Sequence, residues 1–183
     1  IVEGASLFEV SARSIVSVSP FTGNETAFNS AISRLFNSSN PSAIKALELT
    51  GKNACVFLPS SIGQWFLCFD GEVSDPVAKA FDLLGKKTSN QVAITDQSDA
   101  WVILALTGPL IYHTLERICP IDCSLTAMPI GTTSRTIMEH LGTIIVRRPN
   151  DENGDPCFWL LSARSSAASF WRVITSSPPF TPQ

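Results

Sequence analysis

The chain has 183 residues, a formal net charge of −3, 44% hydrophobic residues and 16% charged residues. That is enough for one domain or two small lobes sharing a core, and the apolar content excludes a disordered segment. The absence of a basic run or stripe excludes a nucleic-acid partner. The longest wholly apolar run, Ala100 to Leu106, is far short of the ~20 residues of a membrane-spanning helix, and no membrane partner is expected; the cysteines, which read as reduced thiols, give the cytoplasm as the expected location. The charged fraction lies below the usual ~25%, which fits either a surface covered by another molecule or a neutral, Ser/Thr-rich one.

In chain order, Ile15 to Ser19 alternates apolar residues with Ser and reads as a strand. Phe28, Ala31, Ile32 and Leu35 follow at the spacing of one helix face. Asn37 to Ser42 is a loop by composition. Ala54 to Leu58 and Trp65 to Phe69 are β-like runs. Val77, Ala80, Phe81 and Leu84 form a second helical stripe, opened by Asp75 as N-cap with Pro76 at the first helical position and stopped by Gly85. Thr88 to Gln91 reads as a loop and a junction between halves. Val92 to Ile94 is a further strand. Trp101 to Leu106 is apolar on both faces and therefore a central strand covered twice.

Gly108-Pro109 opens a helix carrying Ile111, Thr114, Leu115 and Ile118. Strands are expected at Thr133 to Ile137, Thr143 to Val146 and Cys157 to Leu161, with a loop at Pro149 to Pro156. Ala167, Phe170, Trp171 and Ile174 mark the last helix, capped by Ser165 or Ser166. Ser176 to Gln183, rich in Pro, reads as a frayed end rather than an arm on a neighbour. The order of elements repeats. The expected fold class is therefore α+β, with two ferredoxin-like halves spanning about 1–90 and 91–176 and a Pro-rich tail at 177–183.

Chemistry is harder to find. The five cysteines are an odd number in mostly apolar surroundings and read as buried reduced thiols. Cys119 and Cys123 form a Cys-x3-Cys pair, but structural zinc needs four ligands, and the two histidines, His113 and His140, are isolated in sequence. No Gly-x-Ser-x-Gly elbow exists, and Glu139 and His140 are adjacent, so their side chains point apart. Gly-x-Gly-x-x-Gly and Gly-Lys-Ser/Thr are absent too. No catalytic, cofactor-binding or metal residue is assigned. Arg135, Arg147, Arg148 and Arg164, with Glu139 and His140, remain as interface or structural candidates. The arginines read either as interface contacts or as surface ion pairs of little worth. Arg135 and Arg164 are expected to be partly buried, and Trp101 to belong to the core.

Several motifs follow one another along the chain: Asp96-Gln97-Ser98-Asp99-Ala100-Trp101-Val102, Leu115-Glu116-Arg117-Ile118-Cys119-Pro120-Ile121-Asp122, Ser134-Arg135-Thr136-Ile137-Met138-Glu139-His140-Leu141-Gly142, Val146-Arg147-Arg148 and Ala163-Arg164-Ser165-Ser166-Ala167. Together they resemble the gamma subunit of heterotetrameric sarcosine oxidase. The resemblance covers roughly Ile94 to Ile174 well. It is thinner before that, where Ser61-Ile62-Gly63 stands in place of a common Gly-Pro-Asp. Ser162-Ala163 likewise replaces a common Gly-Pro.

More distantly the pattern is similar to the folate-binding fold of aminomethyltransferases, the T-protein of glycine cleavage, without their extra C-terminal β domain. In that group a hairpin carries an acidic pair that holds and activates folate. Here the pair would fall on Ile145 and Val146, which can neither accept a proton nor bond a pterin. The resemblance implies a non-catalytic subunit docked on the alpha subunit's aminomethyltransferase-like region, in a complex with beta and delta subunits. It implies FAD, FMN, NAD, tetrahydrofolate and Zn on those other subunits and none on this chain. Such complexes oxidise sarcosine or a related N-methyl amino acid such as N-methylglutamate and pass the one-carbon unit to tetrahydrofolate. The alternatives are a stand-alone folate-dependent aminomethyltransferase-like protein and a small-ligand binding module.

Overall fold

The computed structural model describes residues 1–11, 13–38 and 44–181. Ser39 to Ser42 of the expected loop, and Pro182 and Gln183 of the tail, lie outside the described residues. The chain divides into two units: Ser11–Asp99, and Ile1–Val10 together with Ala100–Gln183.

In the first unit β2 (Ile15–Pro20) leads to α1 (Glu25–Leu35), then β3 (Leu47–Leu49), β4 (Cys55–Ser61), β5 (Gln64–Phe69), α2 (Pro76–Leu84), the single-turn α3 (Lys86–Ser89) and β6 (Val92–Asp96). The sheet order is β3-β4-β5-β2-β6, antiparallel throughout. Val16, Val18, Phe57, Leu67 and Phe69 on one sheet face pack with Phe28 and Ile32 of α1 and Ala80 of α2. Trp65 joins them, its ring 5.0 Å from Phe28 and stacked on Phe57.

The second unit holds β7 (Trp101–Thr107), α4 (Ile111–Ile118), β8 (Thr133–Met138), β9 (Leu141–Arg148), β10 (Cys157–Ala163) and α5 (Ala167–Thr175). Its fifth strand comes from the start of the chain: β1 (Ser6–Glu9) pairs antiparallel with β7, Ser6 facing Thr107. The order β1-β7-β10-β9-β8 matches that of the first sheet position by position, β1 standing where β6 stands. Val102, Leu104, Leu106, Phe158, Leu160 and Ile145 cover one face beneath α4 and α5. Residues of the opposite face, Ile103, Ala105, Ile144, Val146 and Leu161, are buried as well.

All four helical stripes and all eight predicted strands form helices and strands. The stripes are narrower than expected. Phe81 on α2 and Trp171 on α5 are each 39% exposed, at corresponding places in the two units. Each sits one residue, about 100° of helix turn, beyond a fully buried neighbour, Ala80 or Phe170. Thr88 and Ser89, read as loop, close α3, with the Ser89 hydroxyl donating to the Phe81 carbonyl at 2.9 Å. The units meet in sequence at Asp99–Ala100 rather than near residue 90, because β6 pairs with β2. β1 and β3 escaped the sequence reading: each has too few residues for alternation to register.

The tail does not fray as expected. Ser177 is buried, its hydroxyl bonded to the Val173 carbonyl, and Thr114 of α4 donates to the Pro178 carbonyl at 2.6 Å. Phe180 packs on the second unit's core. Gly108 makes the β7–α4 turn with φ +126°, and a Cβ there would lie 2.4 Å from the Gly4 carbonyl oxygen. That closeness lets Leu110 N–H donate to the same oxygen at 2.9 Å, tying the N-terminal segment to the turn.

Candidate functional site

The motif residues act mainly as fasteners of the fold. Asp96 and Ser98 close the end of β6. The Asp96 carboxylate accepts from Ser98 N–H at 2.9 Å and from its hydroxyl at 2.7 Å, and Ile15 N–H donates to Ser98 Oγ at 3.1 Å. Arg164, half-exposed, follows β10. Its N–H donates to the Ala100 carbonyl at 2.9 Å, its guanidinium donates to the Trp101 carbonyl at 3.1 Å, and it pairs with Glu9 at 3.6 Å. One side chain thus holds the end of β1 and the start of β7. Trp101 itself is half-buried rather than core.

The burial expected for Arg135 falls to Arg147. Arg135 is exposed on β8, whereas Arg147 is 1% exposed. Its guanidinium donates to the carbonyls of Arg148 and of Cys157 (3.0 Å) and to Asn150 Oδ1 at 2.5 Å, and lies 5.2 Å over the Phe158 ring. These acceptors are neutral, and Nε has no hydrogen-bond partner. Arg148, on the other sheet face, lies 4.1 Å over the Trp159 ring.

Asp151 anchors the adjoining loop, accepting from the Thr107 hydroxyl at 2.8 Å and from the N–H groups of Asn153 and Asp155, each at 2.9 Å. The Asp155 bond, with the Thr107 and Asn153 bonds, holds its carboxyl below the usual carboxylate range. Because Arg147 pairs with Phe158 and Arg164 follows the far end of β10, a rise of about 3.3 Å per residue puts the two arginines roughly 20 Å apart. Arg147 and Arg164 therefore belong to no common site.

Glu139 and His140 are the exposed two-residue turn of the β8–β9 hairpin, with φ of 45° and 71°. Two consecutive positive φ values match a type I′ turn, more often built from Asn and Gly. Both border a groove of about 390 Å³ that Arg117, Cys119 and Pro120 also line. A second depression, about 430 Å³, lies on the other side of the α4 C-terminus, lined by Tyr112, Leu115, Ile121, Cys123 and Leu125. The Tyr112 hydroxyl is buried without a partner, and burial raises its pKa.

Between the two depressions stand Cys119 and Cys123, both buried, their sulfurs 3.6 Å apart with the Cys123 thiol donating. That bond, reinforced by the Ile121 backbone, lowers the Cys119 pKa against the opposing effect of burial. The same bond, with burial, pushes Cys123 up. Sequence reading weighed the pair as zinc ligands and as buried reduced thiols, not as partners of each other. The two-sided access and the sulfur contact depend on how Pro120 to Asp122 turn, which spacing does not reveal. Among the described residues no three His, Cys, Asp or Glu side chains gather as a metal site, and no helix is long and apolar enough to cross a membrane.

The hairpin positions where a folate-holding acidic pair would fall, Ile145 and Val146, are fully buried on opposite faces of β9. With this geometry in hand, the solved structures are decisive for the fold. A chain of heterotetrameric sarcosine oxidase from Corynebacterium sp. U-96, in complex with pyrrole 2-carboxylate, superposes with a TM-score of 0.74 at 15% identity, over 98% of this chain and 86% of that one. The chain has the sarcosine oxidase-type fold. Aminomethyltransferase T of the glycine cleavage system from Bartonella henselae shares it, with a TM-score of 0.64 at 13% identity over 94% of this chain and 45% of that one. The chain thus spans about half of the aminomethyltransferase but most of the sarcosine oxidase chain. No protein-family model and no curated protein matches the sequence. The expected α+β class is therefore observed, with two antiparallel sheets in the aminomethyltransferase-like arrangement.

Proposed function

We propose that the chain is a non-catalytic subunit, of gamma type, in a heterotetrameric flavin-dependent complex that oxidises sarcosine or a related N-methyl amino acid. The observation that carries this reading is the contrast between the two matches. The superposition accounts for most of both chains in the sarcosine oxidase case and for less than half of the aminomethyltransferase. A subunit of similar length and fold is the simplest counterpart. The burial of Ile145 and Val146 supports the non-catalytic part, since apolar side chains inside a sheet offer folate neither a proton acceptor nor an opening.

In this reading alpha, beta and delta subunits are the partners in the cytoplasm, and FAD, FMN, NAD, tetrahydrofolate and Zn belong to them. Exposed apolar side chains of the second unit, among them Leu125, Ile130 and Ile137, supply area for docking on the alpha subunit. The test is gentle purification of the tagged chain from its native host. A yellow preparation with a flavin spectrum, co-purifying partner chains and sarcosine- or N-methyl-amino-acid-dependent reduction of the flavin is expected. A colourless chain purifying alone overturns the reading.

A further inference from the structure

We propose that Cys119 and Cys123 form a redox-active dithiol that closes to an intramolecular disulfide by exchange with a small-molecule disulfide. The inference stands on three features of the second unit. The sulfurs are in contact at 3.6 Å, so a shift of about 1.5 Å brings them to the ~2.05 Å of a disulfide bond. The connecting residues Pro120 to Asp122 follow the last turn of α4, where the backbone has already left the helix: Cys119 is extended, with φ −110° and ψ 121°. Closing the bond therefore need not unwind the helix. Access exists from both sides, because Cys119 borders the groove beside Arg117 and His140 while Cys123 borders the depression beside Tyr112 and Leu125.

The division of labour follows from the hydrogen bond. Cys123 donates to Cys119, and that bond favours the anion at Cys119, which makes Cys119 the attacking sulfur. The Cys119 thiolate attacks one sulfur of the small disulfide, forming a mixed disulfide and releasing one thiolate, which takes up a proton. The Cys123 sulfur then loses its proton and attacks the Cys119 sulfur, releasing the second small thiol. The protein dithiol is oxidised by two electrons to the disulfide, and the small disulfide is reduced by two electrons to two thiols. The remaining cysteines are poorly placed for this. Cys55 lies in β4, burial pushing it up to about 12, and burial raises Cys157 as well. Cys68 is fully buried in β5.

The experiment exposes the full chain to oxidised glutathione, blocks free thiols under denaturing conditions and maps the peptides by mass spectrometry. The expected result is a Cys119–Cys123 link, with both thiols lost from the free pool and Cys55, Cys68 and Cys157 still alkylated. Cys123→Ser is expected to accumulate a glutathionyl group on Cys119, and Cys119→Ser to give neither link nor adduct. Absence of the link in the wild-type chain, under conditions that oxidise a small dithiol control, overturns the proposal. So does linkage or adduct formation at Cys55 or Cys157 instead. If the serine variants fail to fold, the wild-type map decides alone.

Discussion

Arg147 shows most plainly what a single residue contributes. It is a buried cation held by backbone carbonyls, an amide oxygen and an aromatic face. Truncation to Ala leaves those acceptors without donors and opens a void. Arg147→Ala is therefore expected to lower stability by about 3 kcal/mol, read from urea unfolding. Lys is a poor substitute because an ammonium lacks the planar fork that reaches several acceptors at once. Asp151, nearby, predicts a pH effect. Its folded pKa is depressed, so its stabilisation is present above the unfolded value of ~3.9 and is lost as pH falls through the lower folded value. Amide exchange at Asn153 and Asp155, after correction for intrinsic rates, is expected to accelerate on acidification through that window. Asp151→Asn should abolish the acid-dependent step. Sequence named Arg147 among the candidates but assigned the burial to Arg135 and Arg164, because residue type and spacing do not say which arginine the sheet covers. Only the strand pairing that sets Arg147 beside Phe158 and Cys157 settles that.

The boundaries of α2 were the most legible; α4 begins at Ile111, past Pro109, with Leu110 at its N-cap, and Ser166 stands at the N-cap of α5 without a side-chain cap bond. Asp75 accepts from Ala78 N–H at 2.8 Å with Pro76 at the first position, as the pattern Asp-Pro required. Asp75→Ala is expected to cost about 1 kcal/mol in thermal or urea unfolding. Gly108 was legible as a turn but not as a contact. Its positive φ and the Gly4 carbonyl 2.4 Å from a notional Cβ make Gly108→Ala strained twice over. The expected loss is about 2 kcal/mol or more, with the N-terminal segment loosened first; exchange at the Leu110 amide, bonded to Gly4, is the readout. The tail was misread because Pro residues forbid helix but not docking. Thr114, whose hydroxyl faces Pro178, was placed correctly on the helix and lacked only a known partner. The candidate groove beside Cys119 was not legible at all, since it depends on a hairpin turn and a helix end that approach from distant parts of the sequence.

At the scale of the whole molecule the α+β class and the pairing of two similar halves were readable from element order. The exchange of the first strand was not, because β1 is short and its partner β7 lies at the far side of an intervening unit in sequence. Removing residues 1–10 takes Ala5 and Leu7 out of the second core and leaves β7 as a sheet edge. The second unit is expected to lose protection or aggregate in that deletion, and a synthetic peptide spanning residues 1–10 to restore protection along β7, as judged by hydrogen exchange. The same arrangement governs the order of events on the ribosome. β1 is made before its partner strand, which ends at Thr107, so it must wait while the Ser11–Asp99 unit is synthesised and can fold ahead of it. β1 is thus exposed, with its apolar positions uncovered, until β7 has been made, and this interval is the one in which a chaperone has a segment to hold.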